Sequence, residues 1–154
     1  MAMPTHKHSR RSALVLAVAA AGAALAGGRR SAASAERPGA AAAPARRWFD
    51  AAVAMQRLSE SWGDQPYGAV LVAGGEIIGE GPSRVVQRGD PSAHAEREAI
   101  RDAQQRLGRT SLAGSVLYST SRPCAACESA AAEAGVARMI YGEQLADAGR
   151  PQSR

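Results

Sequence analysis

The chain has 154 residues, two cysteines and a formal net charge of +5. That leaves room for one domain and too few cysteines for a disulfide framework. The positive charge is unevenly placed: residues 1–47 hold eight of the 19 Lys and Arg and one of the 14 acids, which leaves 11 basic against 13 acidic residues from 48 to 154. The main body therefore lacks the basic footprint that holding a nucleic acid requires.

The first 35 residues have the anatomy of an export signal. Lys7 to Arg11 is a charged start, and Ala13 to Ala26 is an uncharged apolar run of 14 residues. A membrane span needs about 20. Small-residue cleavage sites follow at Ala24-Leu25-Ala26 and Ala33-Ser34-Ala35, and Ser9-Arg10-Arg11 resembles a twin-arginine signal, which exports folded proteins. The expectation is a periplasmic or secreted protein with no stable membrane span once the signal is removed; an uncleaved anchor is the alternative. Residues 36–47 are Pro/Ala-rich and read as a linker with little reason to order. The domain is then 48–154.

Within it, Trp48, Ala51, Ala52, Met55 and Leu58 recur at three and four, which predicts a helix from Trp48 to Ser61. Tyr67 to Ala73 is an apolar, β-branched run and predicts a buried strand. Gly74-Gly75 turns it into a second strand, Glu76 to Gly81. A loop follows from Pro82 to Ser92. Ser92 is placed to cap a helix running to Leu107 and ended by Gly108, with His94 on its first turn. Ser115 to Ser119 predicts a third strand, Cys124 to Ala134 a helix ended by Gly135, and Val136 to Tyr141 a fourth strand. The last 13 residues read as an irregular tail. This order implies an α/β domain, a mixed sheet with helices on its faces. Trp62 and Met139 are core or interface residues, with the core as the default.

Two short pieces carry the chemistry. One is Asp90-Pro91-Ser92-Ala93-His94-Ala95-Glu96; the other is Arg122-Pro123-Cys124-Ala125-Ala126-Cys127. One imidazole and two thiolates are the ligand count of a catalytic zinc that keeps one position open. Both pieces sit at predicted helix starts, where free N–H groups and the helix dipole favour thiolate. A carboxylate at Glu96 can take a proton from water and pass it to a leaving amine. Alone, Cys124-x-x-Cys127 also fits a redox dithiol or a disulfide, and His94-x-Glu96 alone fits an ordinary surface helix. Their conjunction, with Pro123 before the first cysteine, is the pattern of zinc nucleobase deaminases.

From about Asp64 to Tyr141 the chain resembles the cytidine/deoxycytidylate deaminase superfamily, in the branch of guanine deaminases, cytosine deaminases and tRNA adenosine deaminases. The matching strings are Pro66-Tyr67-Gly68-Ala69-Val70, the His94 piece with Ala99-Ile100-Arg101, Leu117-Tyr118-Ser119-Thr120 and Pro123-Cys124-x-x-Cys127. The resemblance implies a three-layer α/β/α sandwich. It further implies zinc on His94, Cys124 and Cys127, and hydrolytic deamination of a nucleobase, nucleoside or related amino-heterocycle. Zinc-held hydroxide would be the nucleophile and Glu96 the proton shuttle. Relatives commonly dimerise, so a homodimer is among the expectations.

Two positions depart from that branch. Relatives place an Asn seven residues before the Asp-Pro pair, where it helps hold the substrate; here it is Ser83. Relatives commonly place Glu before the Pro-Cys pair; here it is Arg122, which could select an anionic substrate or pair with Glu96 or Glu128. Tyr67, Ser83 and Arg122 are the candidate substrate contacts. Editing of tRNA is the alternative function, disfavoured by the acidic domain and by export. An exported thiol-redox protein and a purely structural zinc domain stay open, although a structural site would not need Glu96.

Overall fold

A computed structural model describes residues 38–153, with side chains from Pro44 onward. The expected export signal at 1–35 lies outside the described residues. Among the described residues no helix is long and apolar enough to cross a membrane.

The elements are α1 (Pro38–Ser61), β1 (Gly68–Ala73), β2 (Glu76–Pro82), α2 (Val85–Arg88), α3 (Ala95–Leu107), β3 (Val116–Ser119), α4 (Ala125–Ala134), β4 (Arg138–Tyr141) and β5 (Ala146–Gly149). The strands form one sheet in the order β2-β1-β3-β4-β5. β3 and β4 run parallel, with Leu117 opposite Met139, and the other pairs are antiparallel. Parallel β3 and β4 need a crossover, and α4 supplies it.

Alternation along the strands sorts the core into two layers. Ala69, Leu71, Leu117 and Met139 face α3 and α4, together with Ala95, Ala99, Ala103 and Ala131. Val70, Val72 and Tyr118 face α1, where Ala52, Trp48 and Met55 meet them. The architecture is the expected mixed-sheet α/β/α sandwich.

Small residues set how closely the layers approach. A Cβ on Gly81 would overlap the Ala95 carbonyl oxygen and the Ala99 nitrogen, and one on Gly79 would overlap the Ala99 carbonyl oxygen. The α3 backbone therefore lies directly on β2. Ala95, Ala99 and Ala103 recur every four residues on the contacting side. This seam fixes the start of α3, and with it His94 and Glu96.

Several expectations need correcting. The linker expected over 36–47 is helical in its described part, because α1 begins at Pro38. Its alanines are strong helix formers, and Ala45 and Trp48 pack against the α1-facing core. The loop after β2 contains the short helix α2. The C-terminal tail holds β5, whose Ala-Asp-Ala-Gly sequence has weak strand propensity and is ordered by pairing with β4. Leu58 and Trp62 are exposed, while Phe49, absent from the predicted stripe, is buried. Met139 is in the core as expected.

Candidate active site

His94 and Cys124 are not in the first turns of their helices but immediately before them. Each has extended backbone, at φ −65°, ψ 152° and φ −77°, ψ 166°, and each occupies the capping position of α3 or α4 without a side-chain capping bond. Their carbonyls accept the first helical hydrogen bonds, from Glu98 N–H and Glu128 N–H, both at 2.9 Å. Ser92, expected to cap α3, instead accepts a hydrogen bond from Arg101 at 3.2 Å. The two residues best placed to cap these helices with their side chains thus leave the ring and the sulfur for another purpose.

That purpose is visible in the distances. His94 Nδ1 lies 3.7 Å from Cys124 Sγ and 3.5 Å from Cys127 Sγ. The three ligand atoms are all within 4.8 Å of one another. Tetrahedral zinc, with Zn–S of about 2.3 Å and Zn–N of about 2.0–2.1 Å, sets neighbouring N and S ligand atoms roughly 3.5–3.6 Å apart. The donor set and its spacing therefore fit zinc. Both cysteines are free thiols.

Glu96 is buried, and Cys127 Sγ donates to its Oε2 at 3.4 Å. Burial pushes the Glu96 carboxyl above its ordinary value, against the pull of a backbone hydrogen bond, the Cys127 thiol and His94. Burial and the neighbouring Glu96 charge also push the Cys127 thiol well up. The helix N-terminus was expected to favour thiolate at both cysteines; at Cys127 desolvation wins, and a bound cation is what would draw the proton off.

A cavity of about 230 Å³ opens onto this cluster, and His94, Glu96, Cys124, Gln65, Tyr67 and Arg122 are among its lining residues. Of the three candidate substrate contacts, the structure brings Tyr67 and Arg122 to the cavity and leaves Ser83 out. Ser83 is fully buried, and its hydroxyl donates to Asp64 Oδ1 at 2.9 Å. Its short side chain is committed to that carboxylate, so its candidacy is withdrawn. Arg122 also borders a second cavity of about 390 Å³, toward Arg150 and Tyr141.

Sequence reasoning missed the support for this pocket. Asp64 is buried and accepts the Gln65 N–H at 2.7 Å and the Gln87 N–H at 2.8 Å besides Ser83. Burial opposes its charge, but these hydrogen bonds overcome burial and hold the carboxyl below its ordinary value. Ser59 is fully buried, and its one hydroxyl proton is shared among the carbonyl oxygens of Gln56, Gln65 and Tyr67 at 2.7, 2.9 and 3.2 Å. Glu98, also buried, meets Arg88 at 2.8 Å, Arg101 at 2.7 Å and Arg84 at 3.6 Å, tying α2 to α3. Arg84 also lies 4.5 Å over the Trp62 ring. None of these pairs has a short sequence signature, because their partners converge only in the fold.

Residues 43–143 match the profile of the cytidine and deoxycytidylate deaminase zinc-binding region. The chain is 41% identical over 83 residues to a guanine deaminase of Bacillus subtilis, covering 54% of this chain and 53% of that protein. It is 40% identical over 88 residues to a tRNA-specific adenosine deaminase of Agrobacterium fabrum, covering 57% and 58%. A solved structure of tRNA:A34 deaminases that act in A-to-I editing superposes with a TM-score of 0.60 at 35% identity, covering 62% of this chain and 70% of that one. The chain thus spans only a little over half the length of these two curated relatives.

Proposed function

The chain belongs to the family defined by the cytidine and deoxycytidylate deaminase zinc-binding region, and we propose that it hydrolytically deaminates a nucleobase, nucleoside or related amino-heterocycle, releasing ammonia. The observation that supports this best is the approach of His94 Nδ1, Cys124 Sγ and Cys127 Sγ to within 4.8 Å, with the buried Glu96 carboxyl 3.4 Å from Cys127.

His94 Nδ1 and the two thiolates would hold zinc, which lowers the pKa of a water and makes it nucleophilic near neutral pH. Glu96 does the proton work. A carboxyl raised by burial exchanges protons closer to neutrality than an exposed one. It takes a proton from the attacking water and delivers it to the exocyclic nitrogen. The water oxygen bonds to the ring carbon, its second proton ends on the ring nitrogen, the C–N bond breaks, ammonia leaves, and the ring carbon is left as a carbonyl. Tyr67 and Arg122 line the cavity, Tyr67 with an aromatic ring and a hydroxyl, Arg122 with donors only.

Ammonia release across cytosine, guanine, adenine, their nucleosides and pterins tests the proposal, with Glu96→Ala as control. Release from at least one of them that the Glu96→Ala variant loses while keeping its zinc is the expected result. No release from any member of the panel by zinc-loaded protein would overturn it.

A tRNA substrate is the second reading, favoured by the tRNA-specific adenosine deaminases among the relatives. The balance of 11 basic to 13 acidic residues after position 47 speaks against a surface that tracks phosphates. Inosine formed in tRNA mixed with the purified protein would reverse the order of the two readings. We further propose export, from the charged and apolar pattern of residues 1–35; Arg10→Lys with Arg11→Lys should retain the protein in the cytoplasm if the twin-arginine route is used.

A further inference from the structure

The pocket needs a group that reads the substrate ring, and most of its polar lining has another task. His94 and Cys124 face the metal, and Glu96 handles protons. Arg122 can only donate. Ser83 spends its hydroxyl on Asp64 outside the cavity. Ser121 and Tyr67 offer one hydroxyl oxygen each, whereas Gln65, on the same cavity wall, carries a donor and an acceptor on separate atoms of one plane, and its carboxamide makes no hydrogen bond among the described residues.

Its backbone, by contrast, is fixed from both sides. The Gln65 N–H donates to Asp64 Oδ1 at 2.7 Å. Its carbonyl accepts the Tyr67 N–H at 2.8 Å and lies 2.9 Å from the hydroxyl of the fully buried Ser59. A held backbone presenting an uncommitted amide to a cavity suits a recognition group, because only the side-chain rotamers are left to be ordered when substrate arrives. A carboxamide offers a carbonyl acceptor and an NH2 donor in one plane. An amino-heterocycle has ring edges where a donor sits beside an acceptor, and the two can form a pair of parallel hydrogen bonds.

We propose that Gln65 is a specificity-determining residue, whose carboxamide pairs with a donor-beside-acceptor edge of the substrate ring while Glu96 works at the carbon bearing the amine. This rests on the deaminase reading above. Asp64 and Ser59 are then positioning residues that act through Gln65.

The test uses the full chain loaded with zinc and three probes: cytosine, guanine and adenine. Gln65→Leu should raise KM for the preferred base roughly 10- to 100-fold, the size expected for two lost hydrogen bonds. It should leave kcat within about threefold and narrow the ratio of kcat/KM between the three bases. Gln65→Glu keeps the volume and loses the donor, so it should fall between wild type and Gln65→Leu. Equilibrium dialysis of the same bases onto Glu96→Ala and onto the Glu96→Ala, Gln65→Leu double variant gives a second readout, free of turnover. Unchanged KM and base ratios in Gln65→Leu, in an active wild type, would overturn this inference and leave the deaminase reading standing. A zinc-loaded wild type that neither binds nor deaminates any of the three would overturn this inference, and the deaminase reading falls with it only if the nucleosides and pterins also release no ammonia.

Discussion

The two halves of the pocket are held by different physics. The metal half is held by backbone packing: α3 lies on β2 at Gly79 and Gly81, and the starts of α3 and α4 deliver His94 and Cys124 as capping residues. The substrate half is held by side-chain hydrogen bonds: Asp64 accepts from the Gln65 and Gln87 N–H groups and from Ser83, and the Ser59 hydroxyl sits among the carbonyls of Gln56, Gln65 and Tyr67. Close packing tolerates almost no change, whereas a hydrogen-bonded wall can be re-specified one residue at a time. The chemistry is thus built where variation is costly and the recognition where it is cheap.

The largest effect is expected within the metal half. Glu96→Gln should lower kcat by roughly 10²- to 10⁴-fold, the usual contribution of a positioned proton-transfer group, while zinc content by elemental analysis stays at the wild-type level. A smaller loss would mean that the proton reaches the amine by another route.

Next comes the seam that holds that half. Gly81→Ala places a Cβ against the Ala95 carbonyl oxygen and the Ala99 nitrogen, both backbone atoms that cannot turn aside. It should destabilise the fold by about 1–3 kcal/mol or more, measured by denaturant unfolding, and lower zinc retention because the start of α3 must move. Stability lost with zinc retained would separate the seam from the site.

In the substrate half, Asp64→Asn should cost about 1–3 kcal/mol, because Ser83 and two backbone N–H groups lose a charged acceptor. It should raise KM more than it changes kcat. The pH dependence has a definite sign. The folded Asp64 carboxyl lies below its ordinary value of 3.8, so its stabilising share is complete above that value and is lost as pH falls through the lowered one. The wild-type advantage over Asp64→Asn should therefore be full at neutral pH and shrink in strong acid. An advantage that grows on acidification would contradict the assignment.

The smallest effect belongs to neither half. Arg138 and Asp147 form an exposed pair at 2.6 Å between β4 and β5. Arg138→Ala should change stability by no more than about 1 kcal/mol and leave ammonia release unchanged.

This contrast also explains what could be read from the sequence. His94, Glu96, Cys124 and Cys127 were legible because short fixed spacings encode them. Gly108 and Gly135 were legible as helix ends because both adopt left-handed backbone, φ 61° and 79°. β1 was legible because both of its faces are buried, leaving a continuous apolar run. Ser83 was misread because its partner, Asp64, is 19 residues away and only the fold joins them. The three arginines around Glu98 and the pairing that makes a strand of Ala146–Gly149 are likewise tertiary facts. Local pattern encodes the metal half, and long-range pairing encodes the substrate half.

Zinc K-edge X-ray absorption on protein purified under reducing conditions tests the metal half most directly. The expected spectrum has zinc bound by two sulfurs at about 2.3 Å and one imidazole nitrogen, with a sulfur lost in Cys127→Ser and the same coordination kept in Glu96→Ala. Zinc without sulfur ligands, or active protein with Cys124 and Cys127 joined and no metal, would contradict it.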